Sequence, residues 1–270
     1  MTLPPRFDVE IQGAIILVGC GRMGGALLKG WNLPGQVYVL DPNASVDLPG
    51  KRLTSSDMIA TLPRPLTFII AVKPQIVRQV LPLLRPYVAP DSVFVSVAAG
   101  VRTGLFHEVL RPAAQVMRAM PNIAVAARAG ATVLFSGTNV SADQRERVRQ
   151  LFGMVGGCAL IADENLLDIG TALVGSGPAF FFCLGEALAA AAQAEGMPAD
   201  QAAMLSEATL AGAGALCLDG SGGLAALREA VTSPGGTTAA ALTVFTPGIH
   251  VLAQAIMRAA VSRAKEMQDE

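Results

Sequence analysis

The stretch Ala14-Ile15-Ile16-Leu17-Val18-Gly19-Cys20-Gly21-Arg22-Met23-Gly24 carries the reading of the fold. A short, wholly apolar run from Ala14 to Gly19 is what a strand buried on both faces of a parallel sheet requires. The Gly-x-Gly-x-x-Gly that follows it opens a helix expected over Met23–Trp31. In such a turn the first glycine permits the tight bend. The second lets a pyrophosphate approach the backbone, and the third lets helix pack on strand. The helix start then offers unpaired N–H groups and a positive dipole end to the phosphates. Glycines also serve ordinary turns, so the motif is weak alone. Its place between a buried strand and a helix is what makes a dinucleotide site the better reading.

Outward from that turn, strands and helices alternate. Strands are expected at Val37–Asp41, Leu66–Val72, Val93–Val97 and Val116–Met120, with helices at Ser55–Ala60, Gln75–Leu84 and Thr103–Leu110 between them. This rhythm implies right-handed βαβ crossovers in a doubly wound sheet. Later strands at Thr132–Phe135 and Val155–Ile161 flank a charged helix, Ala142–Leu151. Beyond about Asp163 only helical patterns remain: 163–174, 178–194, 198–218, 223–231 and 249–268. The expected fold class is therefore α/β, an N-terminal doubly wound Rossmann domain over 1–162 followed by an all-α domain over 163–270. Small residues such as Ala189–Ala192, Ala211 and Gly212 suit close helix packing.

Composition narrows the function classes. The 270 residues carry a net charge of −1, so no basic field exists to hold nucleic acid or an anionic membrane. The first ten residues lack an apolar leader core, and a cytoplasmic location is expected. Cys20, Cys158, Cys183 and Cys217 are scattered without a Cys-x-x-Cys pair, which fits reduced thiols. With only His107 and His250, a histidine metal cage is not expected. Leu173–Ala194 is apolar enough to suggest a membrane span, but Gly175-Ser176-Gly177-Pro178 breaks it and Glu186 sits in its middle, so it reads as a buried helix. Apolar residues make up 52% of the chain and mean hydropathy is +0.48. A subunit interface is the simplest place to bury that surplus.

Four further segments fall where ligands bind or helices begin. Asp41 ends the second strand, where an acid bonds the ribose hydroxyls of NAD and repels the 2′-phosphate of NADP; Lys51 and Arg52 lie just beyond. A plain strand-ending turn at Asp41-Pro42-Asn43 is the alternative. Ala71-Val72-Lys73-Pro74-Gln75 and Ser96-Val97-Ala98-Ala99-Gly100 end later strands. Ser233-Pro234-Gly235-Gly236-Thr237-Thr238 precedes a helical run. There the N–H groups of Gly236, Thr237 and Thr238, with the Ser233 hydroxyl, could hold a carboxylate. A simple capping loop explains it equally well from these residues alone.

Taken in order over nearly the whole length, these segments resemble the pyrroline-5-carboxylate reductase family. The matches are the glycine turn, Val72-Lys73-Pro74-Gln75, Ser96–Val101, Arg118-Ala119-Met120-Pro121-Asn122, Thr171–Phe180 and Leu227–Thr238. The resemblance implies reduction of 1-pyrroline-5-carboxylate to L-proline with NADPH or NADH, commonly with a preference for NADPH. It also implies an interlocked homodimer or higher oligomer whose active site both subunits line. By position, the dinucleotide would meet Gly19, Cys20, Gly21, Arg22, Met23, Gly24, Asp41, Asn43, Val72, Lys73, Pro74 and Gln75. Ala98 and Ala99 would lie near the nicotinamide. Glu164, Ser233, Gly236, Thr237 and Thr238 would face the substrate, with Thr238 the hydroxyl that reaches the imine nitrogen. Asp41, Ala230 and Thr246 depart from the family pattern.

That chemistry suits a chain with two histidines. A protonated imine accepts hydride without a histidine, so the protein's task is alignment. Related reductases of hydroxy acids generally need a Lys or His in the helical domain, and residues 163–248 contain neither. The intact 233–238 loop argues against a dinucleotide sensor that has lost turnover.

Overall fold

The computed structural model describes residues 11–44, 49–218 and 222–268. The N-terminal ten residues, read above for a leader, lie outside them. Strand β1 (Ala14–Val18) is buried along its full length. Its side chains alternate between two cores: Ile15 and Leu17 join one, Ala14, Ile16 and Val18 the other. A strand covered by helices on both faces has no place for a polar residue, which explains the unbroken apolar run.

Among the described residues the sheet has eight strands in the order β3-β2-β1-β4-β5-β6-β7-β8. The remaining strands are β2 (Val37–Leu40), β3 (Lys51–Arg52), β4 (Leu66–Ile70), β5 (Val93–Ser96), β6 (Val116–Pro121), β7 (Gly130–Ser136) and β8 (Gly156–Ile161). All neighbours run parallel except β6 and β7. From β1 the chain passes to β2 on one side and later returns to β4 on the other. The topological switch therefore falls at the carboxyl end of β1, where the glycine turn lies.

Helices α1 (Arg22–Trp31) and α4 (Ala142–Gly153) cover one face, where Trp31 and Phe152 meet edge to face at 6.1 Å. On the other face lie α2 (Pro74–Leu84) and α3 (Thr103–Val109), over a stacked Phe68–Phe94 pair at 4.6 Å. The segment expected as a helix over Ser55–Ala60 is a 3-10 turn, Ser56–Thr61. Strand β3 was not expected, because two exposed charged residues carry no alternation to read.

The described residues form two compact units divided between Gly175 and Ser176, and residues 261–268 belong with the first. The first unit ends with α5 (Leu166–Gly170) and a π-helical turn, Thr171–Gly175. The second holds α6 (Gly177–Ala194), α7 (Ala199–Leu218), α8 (Leu224–Ala230) and most of α9 (Thr237–Glu266). Ser206 Oγ donates to the Gly185 carbonyl at 2.7 Å, pinning α7 to α6 through a position without a side chain.

Two expectations are corrected here. The last helix was expected to begin at residue 249, after Pro247-Gly248, yet α9 runs through both. A proline removes one N–H and crowds the preceding turn, and a long helix on either side tolerates that loss. Helix α6 was expected to be buried, but of its residues only Gly177 is, and Phe181 and Phe182 are 60% and 58% exposed. By length and composition Leu166–Ala194 and Thr237–Glu266 could each cross a membrane. Apolarity in a sequence signals burial without saying whether the cover comes from the same chain.

Candidate active site

Each glycine of the turn has a distinct environment. Gly19 sits at φ +90°, where only glycine is unstrained, and its N–H donates to the Leu40 carbonyl at 3.1 Å. A Cβ on Gly24 would stand 2.3 Å from the Gly19 carbonyl oxygen, so this glycine sets how closely α1 approaches β1. Gly21 caps α1 at an ordinary φ of −71°, and a Cβ there would meet nothing within 4 Å. That open space lies above a helix start with no acidic residue in its first turn. It is free for an anion.

Beside the turn lies a cleft of about 490 Å³. Its lining includes Gly19, Gly21, Asp41, Asn43, Val72 and Lys73 from the predicted set. Cys20, Arg22, Met23 and Gly24 belong to the same turn and helix start. Pro74 and Gln75 open α2, for which Lys73 is the N-cap. Ala98 and Ala99 follow β5, outside this lining; the Ala98 N–H donates to Ser96 Oγ at 3.3 Å.

Asp41 holds two backbone donors, the Cys20 N–H on Oδ2 at 2.6 Å and the Asn43 N–H on Oδ1 at 2.8 Å. It therefore both ends β2 in a turn and fastens the glycine loop. Sequence reasoning missed Ile76, Val80 and Leu83, which also line the cleft. Helix α2 has two apolar stripes: Val77, Leu81 and Leu84 fill the core, whereas Ile76 and Leu83 are 38% and 52% exposed. An apolar residue outside the core stripe was the available signal.

Cys20 lies in the glycine turn between two residues that line this cleft, and burial and then the Asp41 charge raise its thiol pKa. Burial raises that of Cys158 to about 11. Both shifts favour the less reactive thiol form over the thiolate. Among the described residues no cluster of His, Cys, Asp and Glu could hold a metal.

Glu164 is the hub of a second polar group. It accepts from the Thr103 N–H at 2.9 Å, the Thr103 hydroxyl at 3.0 Å and Arg118 Nη1 at 3.1 Å. It thus caps α3 and pairs with an arginine on β6. The Arg118 side chain is only 7% exposed. Burial lowers the Arg118 pKa from its ordinary value, and the Glu164 charge opposes that shift. Arg102 extends the group to Asn165 and Gln268, each at 2.8 Å, and Gln268 reaches Asp168 at 2.5 Å. These contacts surround the Gly100 loop, against which the Met267 backbone packs. Arg118→Ala would leave Glu164 without its buried partner. We expect a loss of about 3 kcal/mol of stability, read from the denaturation midpoint; an unchanged midpoint would show that the pair holds nothing.

The 233–238 loop lies in the second compact unit. Gly235 has φ +70°, and the Gly236 N–H donates to the Ser233 carbonyl at 3.1 Å. Proline followed by a positive-φ glycine makes a tight turn. This corrects one expectation: the Gly236 N–H is spent on the turn, so the free helix-start donors begin at Thr237. Thr237 and Thr238 open α9, and Thr238 is half-buried. Ser233 Oγ faces Gly236 across the turn.

Comparison with known proteins adds a lineage to this geometry. Residues 164–267 match the family described as pyrroline-5-carboxylate reductase dimerisation. The chain is 32% identical over 274 residues to the pyrroline-5-carboxylate reductase of Pseudomonas aeruginosa, covering 95% of this chain and 97% of that one. Against the Mycobacterium tuberculosis enzyme of the same name, identity is 36% over 286 residues, with 94% and 96% covered. A pyrroline-5-carboxylate reductase structure from Coxiella burnetii superposes with a TM-score of 0.87 at 30% identity, covering 95% and 98%. That of Plasmodium falciparum pyrroline carboxylate reductase with NADP bound gives 0.79 at 23% identity, covering 96% and 100%, a likeness of fold. On these relationships the chain belongs to the pyrroline-5-carboxylate reductase family.

Proposed function

We propose that this chain reduces 1-pyrroline-5-carboxylate to L-proline with NADPH or NADH, the last step of proline biosynthesis. The observation that carries the reading is the open space above Gly21, at a helix start on the topological switch point, in a chain of this family. The cleft fits a dinucleotide: N–H donors for the diphosphate, an acid at the end of β2 for ribose, and an apolar wall from Ile76, Val80 and Leu83 for a flat base.

A bound nicotinamide supplies hydride to the imine carbon. The chain's own part is to hold the reactants. Gly19 to Gly24 and Val72 to Gln75 fix the dinucleotide, with Asp41 and Asn43 at the ribose and Ala98 and Ala99 leaving room for the nicotinamide. The Thr237 and Thr238 N–H groups, with the Ser233 hydroxyl, hold the substrate carboxylate, and Gly236 shapes their turn. The Thr238 hydroxyl bonds the ring nitrogen, which keeps its proton as the C=N bond becomes C–N. Glu164 supports the substrate side through Thr103 and Arg118. The catalytic assignment is Thr238 alone.

In this reading residues 1–162 serve the dinucleotide and 163–270 serve substrate and dimerisation. The exposed apolar faces of α6 to α9, including Phe181, Leu188, Leu205 and Val251, are covered by a second copy in a homodimer or higher oligomer. The location is cytoplasmic, with no nucleic acid or membrane partner. Adding 1-pyrroline-5-carboxylate to enzyme and NADPH, then to enzyme and NADH, should consume the reduced coenzyme and yield proline. Coenzyme left untouched in both would refute the proposal.

A further inference from the structure

We infer that Asp41 makes this enzyme hold NADH more tightly than NADPH, an inference that rests on the dinucleotide reading of the cleft. Asp41 lines that cleft at the end of β2, while Lys51 and Arg52 are outside its lining. The carboxylate is fixed from two sides: the Cys20 N–H occupies Oδ2 and the Asn43 N–H occupies Oδ1. It cannot swing away from an incoming phosphate without stripping a partner from the glycine turn. A carboxylate has about four acceptor positions, so two remain for ribose hydroxyls. A 2′-phosphate brings no hydrogen to share there and adds negative charge against a fixed negative charge.

The neighbouring cations are placed differently. Arg52 Nη2 donates to the Pro42 carbonyl at 3.1 Å, and Lys51 Nζ stands 5.5 Å from the centre of the Tyr38 ring. Both residues are exposed. Water and salt weaken their pull on a phosphate, whereas the half-buried Asp41 acts at close range through less screening. The fixed acid prevails. Arg52 is close enough to the Asp41–Asn43 turn to let NADPH bind, more weakly.

Titration calorimetry of the full-length protein with NADH and with NADPH tests this without turnover. Wild-type protein should bind NADH tighter by on the order of tenfold or more. Asp41→Asn keeps the shape and removes the charge; Asp41→Ser is the second variant should the amide disturb the turn. Either should tighten NADPH binding and shrink or reverse the ratio. Tighter NADPH binding by the wild type, or a ratio unmoved in folded variants, would overturn the inference while leaving the cleft as the dinucleotide site. If the wild type bound neither coenzyme, the reading of the cleft itself would fall, and the inference with it.

Discussion

Gly21→Val should leave the protein folded and weaken dinucleotide binding by at least about 100-fold, because a branched side chain would fill the space the pyrophosphate needs. The fold has little reason to object. Gly21 lies at φ −71°, open to any residue, and a Cβ meets nothing within 4 Å. Losing glycine as a helix cap costs under about 1 kcal/mol. Gly24→Ala, three residues on, should behave in the opposite sense. Its Cβ would press to 2.3 Å from the Gly19 carbonyl oxygen, a backbone atom that cannot step aside, so α1 must move off β1. Thermal melts and calorimetry on both variants separate the two roles. Unaltered coenzyme binding in Gly21→Val would show that the phosphates lie elsewhere.

The second large effect belongs to the helical unit. Thr238→Ala should lower kcat on 1-pyrroline-5-carboxylate by about 100-fold or more, the size of loss that follows when the reacting carbon is no longer held in line. The dissociation constant for the coenzyme should stay within about twofold, since Thr238 has no part in holding it. Thr238→Ser, which restores a hydroxyl, should recover much of the rate. Full activity in the alanine variant would remove Thr238 from the mechanism.

Much of the fold was readable because local rules and the global arrangement agree. Ala14–Val18 is apolar throughout since helices cover both its faces, and the glycine spacing marks the turn that follows. What could not be read depends on residues distant in the chain. Glu164 caps α3 and pairs with Arg118 across separations of 61 and 46 residues, and no spacing rule connects them. Strand β3 exists because β2 offers a free edge, not because Lys51 and Arg52 favour extension. Pro247 suggested a break, but helical residues on both sides carry α9 through it.

The candidate site divides the same way. The glycines and Asp41 could be singled out because phosphate and ribose chemistry asks for those residue types in that pattern, and Gly19, Gly21 and Asp41 do line one cleft. The Gly236 N–H was misjudged, because whether a turn consumes its own donor depends on the φ of Gly235. Ile76 and Leu83 were passed over as ordinary helix residues, and the exposed stripe of α2 shows that they line the cleft.

Direct hydride transfer demands that one enzyme molecule hold coenzyme and cyclic imine together, carbon against carbon. Reduced coenzyme carrying deuterium on the transferred face of nicotinamide C4, turned over with 1-pyrroline-5-carboxylate in ordinary water, measures this. The deuterium should appear at C5 of the proline formed. Proline without the label, its deuterium lost to solvent, would contradict it.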